Sequence, residues 1–371
     1  MSEELQRRLA SAPVPDAAGA AARARAVVLA AGSARGADVP SPRGARGRRT
    51  VLAAALLGAA LAAAGPPGAA VGEWVQRQIA PPPPPAPEVV PARRLPAEGR
   101  LLLHDAGGLR VVRPRGAPAR LGRYDGAEWS PRGLFVVAWR GDRLVALAPD
   151  GAERWSISAP ARIRAARWSP DGYRIAFVTA DGVLRVVAGD GSGARPLASG
   201  RAVAPAWQPG EPHTLAYIGL RRRVVVRDAD GGEPHLWGRA PAGTSSLSWS
   251  GGGRRLAAIA PKRIRVLRAD RPGDVRTLLR PPGGRFTAAA FAPAPGRTRL
   301  ARVSRRNGRS TFTVGGRVLS IRSRIPALAW SGDGRWLLLD ARDAGRVLAV
   351  RARGPLRVFS RPGGRLEGWA P

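Results

Sequence analysis

The residue types able to do acid–base, nucleophilic or metal chemistry are few in this sequence and do not fall into reactive spacings. The chain of 371 residues has three histidines and no cysteine, which removes disulfides, thiolate metal sites and thiol nucleophiles together. His104, His213 and His235 stand at no metal-ligand spacing, and each reads as a surface or packing residue. No Gly-x-Ser-x-Gly elbow, phosphate-cradling glycine loop or His-Glu-x-x-His motif is present. The carboxylates that recur, Asp171 and Asp333, occupy equivalent turns, where a short side chain caps its own backbone. The sequence therefore predicts no catalytic residue, no metal ligand and no cofactor.

What does recur is an aromatic residue followed by a turn. It appears at Trp129, Trp168, Trp207, Trp249, Phe291, Trp330 and Trp369, at intervals of 39, 39, 42, 42, 39 and 39 residues. A fixed period near 40 is the mark of a repeat architecture. The unit around Trp168 is the clearest. Ala166–Trp168 reads as a short strand, and Ser169-Pro170-Asp171-Gly172 as a turn in which Pro fixes φ and Gly accepts positive φ. Arg174–Val178 and Val183–Val187 follow as strands joined by a hairpin turn, and Ala194–Leu197 as a short outer strand. Later units repeat the plan, with Arg255–Ile259 and Ile264–Leu267, then Asp333-Gly334 in the turn before Trp336–Leu339 and Val347–Val350. Four antiparallel strands in about 40 residues make one β-propeller blade. The seven aromatics read as packing between blades.

The Trp-Ser-Pro-Asp-Gly turn followed by an apolar strand resembles the repeats of bacterial TolB-like and WD40-like (PD40-type) propellers, over residues 125–371. The Gly-His and Trp-Asp dipeptides of eukaryotic WD40 repeats are missing, and no TolB-type α/β domain is recognisable ahead of the repeats. TolB's role in envelope assembly is therefore not carried over.

The ends set the blade count. Residues 100–123 supply three strands, Leu101–Leu103, Leu109–Val112 and Ala119–Leu121, without an opening aromatic turn. Residues 365–371 supply an opening strand with nothing after it. Joined, they complete one blade and remove a free edge, so the expected domain, 100–371, is an all-β, seven-bladed propeller closed by pairing of its terminal strands.

Ahead of it, Val51–Gly72 runs without a charge and follows Arg43, Arg46, Arg48 and Arg49, whereas only Arg77 lies close behind. Residues 50–72 read as a single transmembrane helix, with 1–49 as a cytoplasmic tail, partly helical or disordered, and the propeller outside the membrane. A cleavable signal peptide ending near Ala62-Ala63-Ala64 is the competing reading. The run Pro81–Pro85 and Pro87 makes 73–99 an extended, semi-rigid stalk.

Charge is the remaining signal. The formal net charge is +35, with Lys262 the only lysine. The arginines are distributed through every repeat, which reads as a solvated surface, since clustering is the footprint of a polyanion. The expected function is a membrane-anchored, single-pass, extracytoplasmic propeller acting as a non-enzymatic binding module, sensor or adaptor for a protein or cell-envelope component. A propeller enzyme of lactonase or lyase type, or a surface that binds an anionic polymer or lipid, is the alternative; nucleic acid is not the expected partner.

Overall fold

Each repeat folds because its apolar residues must be covered on two sides at once. In the second strand of the unit around Trp168, Ile175, Ala176, Phe177 and Val178 are all buried. An uninterrupted apolar strand of this kind needs a neighbour against each face. The computed structural model describes residues 89–91, 99–270, 277–281, 284–294, 299–353, 358–362 and 364–370 of the chain. The chain divides into two units, 1–84 and 85–371, and all the described residues belong to the second. The expected tail, membrane span and most of the stalk lie outside the described residues. Among those described, no helix is long and apolar enough to cross a membrane.

The described strands form seven antiparallel four-stranded blades. Blades 1 to 6 span 126–158, 163–199, 206–239, 246–279, 285–321 and 328–362. Blade 7 is composite: Arg365–Ala370 pairs antiparallel with Arg100–Asp105, and Gly108–Val112 and Ala119–Gly122 follow outward. The propeller is thus a seven-bladed ring closed by strands from opposite ends of the domain. The first strand of each blade touches the first strands of both neighbours, completing an inner circle.

The core consists of seven apolar layers, one for each interface between adjacent blades. Between blades 1 and 2, for example, Val137, Trp139 and Leu144 meet Ile163, Trp168, Ile175 and Phe177. Across the closing interface, Leu338, Val347 and Ala349 of blade 6 meet Leu101, Leu103, Val112 and Leu366 of blade 7. Burying side chains of this size is worth about 1.5–3 kcal/mol each, so the ring is stabilised at its interfaces more than within any single sheet.

Two features go beyond the sequence reading. The strands reach one to three residues further than the sequence suggests, as in Ile163–Trp168 and Arg174–Thr179, because the ladder continues to the pairing of Thr179 with Ile163, both buried. In addition, Val89–Pro91, from the stretch expected to be stalk, adds a parallel fifth strand to the outer edge of blade 6 at Val358–Ser360. This covers an edge that would otherwise stay open.

Candidate functional site

The repeat turns build the site. Ser169 Oγ accepts the Arg174 N–H at 2.9 Å, and Asp171 Oδ1 accepts the Tyr173 N–H at 3.1 Å, with Ser169 Oγ–H donating to the same carboxylate. Ser331 and Asp333 repeat this arrangement, Asp333 accepting the Arg335 N–H at 2.9 Å and the Ser331 hydroxyl. Although burial acts to raise it, the hydrogen bonds from Ser331 and Arg335 hold the Asp333 carboxyl below its ordinary range. Gly172 and Gly334 close the turns at φ 80° and 64°, values that favour glycine. Each turn presents its following residue outward, and Tyr173 is 72% exposed as a result.

At the seam between blades 1 and 2 the turns after Trp129 and Trp168 wall a groove of about 920 Å³. Leu134 and Phe135 stand on one side and Tyr173 on the other, all three exposed. Trp155, on the outer strand of blade 1, also lines it, and its indole N–H donates to the Gly189 carbonyl of blade 2 at 2.9 Å. Gly191 lies against that ring: a Cβ there would sit 2.7 Å from it. The charges around the groove are not equivalent. Asp171 and Asp190 are tied to their own turns, Asp190 through Ser192, whose hydrogen bonds hold its carboxyl below the ordinary range. Arg132 and Arg154 are exposed and have no side-chain partner among the described residues. The groove thus offers aromatic and aliphatic surface beside two free guanidinium groups.

A second hollow of about 580 Å³ shares Asp171, Tyr173 and Ala188 with the first and continues toward blade 3. Here His213 Nδ1 lies 2.5 Å from Asp230 Oδ2, and ligand atoms of His213, Asp228 and Asp230 come within 4.8 Å of one another. The chain spacing of the histidines gave no sign of this, because Asp228 and Asp230 approach His213 only through the pairing of neighbouring strands. The chemistry is that of an ion pair. Arg174 donates to both oxygens of Asp230, at 2.8 and 2.5 Å, and holds its carboxyl below the ordinary range, while Arg195 stands at 4.0 Å. A divalent cation would have to displace one guanidinium and tolerate the other. His104 lies elsewhere, with Nε2 2.9 Å from the Tyr124 carbonyl, and His235 opens the exposed outer strand of blade 3.

The repeat aromatics lie at the blade interfaces. Trp129, Trp168, Trp207, Trp249, Phe291 and Trp330 are buried, and Trp369 is partly so. Three indoles also hydrogen-bond across the seam: Trp207 to the Arg167 carbonyl and Trp249 to the Ala206 carbonyl, both at 2.9 Å, and Trp330 to the Ala290 carbonyl at 3.1 Å. In each case the acceptor is the residue just before the preceding blade's aromatic. At Trp168 and Phe291, which do not make this contact, the backbone N–H of the aromatic reaches the side chain at that same position: Trp168 to Glu128 Oε2 at 3.0 Å, and Phe291 to Ser248 Oγ at 2.9 Å.

No family model matches the chain, and no curated protein matches it. Solved structures do. The β-propeller domain of Cps50 (Swd1) from Myceliophteria thermophila is 13% identical, with a TM-score of 0.52 over 67% of this chain and 89% of that one. The C-terminal WD40 domain of Sif2 is 14% identical, with a TM-score of 0.54 over 74% of this chain and 84% of that one. At such identity the likeness concerns the fold, and it supports a WD40-like, seven-bladed β-propeller.

Proposed function

We propose that this chain is a membrane-anchored, extracytoplasmic propeller that works as a non-enzymatic docking module, taking an extended peptide segment of a partner protein into the groove between blades 1 and 2. The observation that carries this reading is the groove itself. Leu134, Phe135 and Tyr173 are large apolar residues exposed side by side on a rigid frame, and an exposed apolar patch rimmed by polar groups marks an interaction surface. Aromatic and arginine side chains are the usual anchors of such contacts. The free guanidinium groups of Arg132 and Arg154 favour a partner whose apolar anchor is followed by acidic residues. The WD40-like fold is consistent with protein binding.

A random peptide library displayed on phage and selected on the full chain tests the docking site. Enriched peptides are expected to join an aromatic or aliphatic residue to a nearby Asp or Glu. Their affinity should fall about tenfold or more in Tyr173→Ala, an anchor-sized loss, and should fall again in Arg132→Glu/Arg154→Glu. Peptides that bind these variants as well as the parent would rule the groove out. The anchor rests on residues 50–72 and their basic flank. Protease added to spheroplasts should cut the stalk, 73–99, and release the propeller; full protection until the membrane is lysed would overturn the extracytoplasmic placement.

A further inference from the structure

We infer that one flat face of the propeller, across blades 3 to 5, is a docking surface for an anionic lipid bilayer. The face is built by the turns between second and third strands and by the connections from one blade to the next. Hydrogen bonds between these two kinds of loop place them together: the Ala240 N–H donates to the Arg222 carbonyl at 2.8 Å, and the Phe286 N–H to the Pro261 carbonyl at 2.7 Å. From Arg201 to Arg324 none of these loops contains an aspartate or glutamate. They carry Arg221, Lys262, Arg263, Arg285, Arg306 and Arg309, all exposed and without a side-chain partner among the described residues. Within blades 3 to 5 the acidic residues Asp228, Asp230, Glu233 and Asp270 fall on the other face, at the ends of third strands and in the turns that follow them; on the basic side of the ring, carboxylates (Asp105, Asp125, Asp142, Asp181 and Asp343) belong to the loops and strand ends of the other blades. Across blades 3 to 5 the fold thus sets these basic residues on one side with no carboxylate in the loops around them, which is the clustering that a polyanion requires.

Two observations select a bilayer over other polyanions. Leu220, beside the Arg221-Arg222-Arg223 run, is 67% exposed on this face, and an apolar side chain set among arginines is the composition of a membrane-interfacial contact. Single-stranded nucleic acid is held on aromatic stacking platforms instead, and the exposed Phe135 and Tyr173 belong to the opposite face. The turn is also held in an unusual backbone. Arg221 and Arg222 have φ of 53° and 63°, in the left-handed region. Corresponding turns in other blades use Gly141, Gly182, Gly308 and Gly345 there. Arginine in that conformation stores local strain, a feature that gathers at functional sites. The inference does not depend on the peptide groove.

The test uses the full chain in nanodiscs of phosphatidylcholine alone or with about 30 mol% phosphatidylglycerol, read by amide hydrogen exchange. The amides of 219–224 and 262–264 are expected to exchange about tenfold more slowly in the anionic discs, with the difference shrinking at about 0.5 M NaCl. Arg221→Glu/Arg222→Glu/Arg306→Glu should abolish the difference, whereas Arg132→Glu/Arg154→Glu on the other face should keep it. The salt comparison is made on the unmodified chain, so it decides the matter even if the triple variant folds poorly. Equal exchange in both discs overturns the proposal. So does protection of the same amides by an oligonucleotide added to neutral discs in the absence of any response to phosphatidylglycerol.

Discussion

Glu128 shows how a single residue is caught between two demands. Its carboxylate accepts the Trp168 N–H at 3.0 Å and lies 3.7 Å from the Arg167 guanidinium, joining the inner strands of blades 1 and 2. Burial pushes its carboxyl above the ordinary value near 4.5, and Arg167 and the Trp168 N–H offset this only in part. Glu367, on the inner strand of blade 7, is raised for the same first reason against the pull of Arg365. A carboxyl with a raised folded-state pKa costs stability at every pH where the unfolded chain is ionised. As the pH falls through the raised value, the folded state takes up the proton first and stability is gained, until the unfolded chain also protonates near 4.5. The carboxyls of Asp125 and Asp230 are held low, by the Gly141 N–H and by Arg174 respectively, so they act oppositely and withdraw stability below about 3.8. Thermal melts of the full chain should therefore show the propeller transition rising from pH 7 toward pH 4.5 and falling at lower pH. Glu128→Gln keeps an acceptor for the Trp168 N–H, removes the half-buried charge, and should raise Tm at pH 7 by roughly 2 °C while flattening the rise. A variant that melts lower at pH 7 and keeps the full slope would show that the pair with Arg167 outweighs desolvation.

At the scale of elements, the sequence made some features legible because they are local and hid others because they are not. The turns could be read: Ser169-Pro170-Asp171-Gly172 contains its own acceptors and its own positive-φ residue, and the folded turn uses them. Blade spacing could be read from the aromatics for the same reason, since each closes a turn beside it. The indole contacts, such as Trp207 to the Arg167 carbonyl, depend on the rotation of one blade against the next, which no local pattern encodes. The groove was hidden likewise. Trp155 belongs to an outer strand and Tyr173 to the next blade's turn, and only their interface makes them neighbours. The dispersed arginines are partly explained by the same geometry, because Arg227 donates to the Leu197 carbonyl at 3.0 Å and Arg195 to the Ala229 carbonyl at 2.5 Å, tying blades 2 and 3 at their outer parts. The basic face is legible only by turn position within blades 3 to 5, because the equivalent turns of the other blades carry Asp105, Asp142, Asp181 and Asp343. The fifth strand, Val89–Pro91, left no signal beyond two β-branched residues after a proline run.

Over the whole molecule, stability depends on the ring being closed. A propeller with seven interfaces loses one of them outright if it opens, and the loss is not confined to the residues removed. Here the closing strand is Arg365–Ala370, whose ladder to Arg100–Asp105 runs from Arg100↔Ala370 to His104↔Arg365, with a bulge at Leu102/Leu103. Its side chains serve both neighbours: Leu366 packs in the layer shared with blade 6, and Ala370 in the layer with Trp129 of blade 1. Deleting Leu366–Pro371 would therefore leave Arg100–Asp105 as an unpaired inner edge, uncover apolar surface on both sides of blade 7, and offer that edge to other chains. The expected outcome in the full chain is a propeller transition lowered by roughly 10 °C or more, broadened, and accompanied by concentration-dependent aggregation. Deleting Pro371 alone, which leaves the ladder whole, should change little. An unchanged melting curve after the six-residue deletion would mean that the blade 6–blade 1 junction holds without its seventh inner strand, and that the ring is stabilised elsewhere.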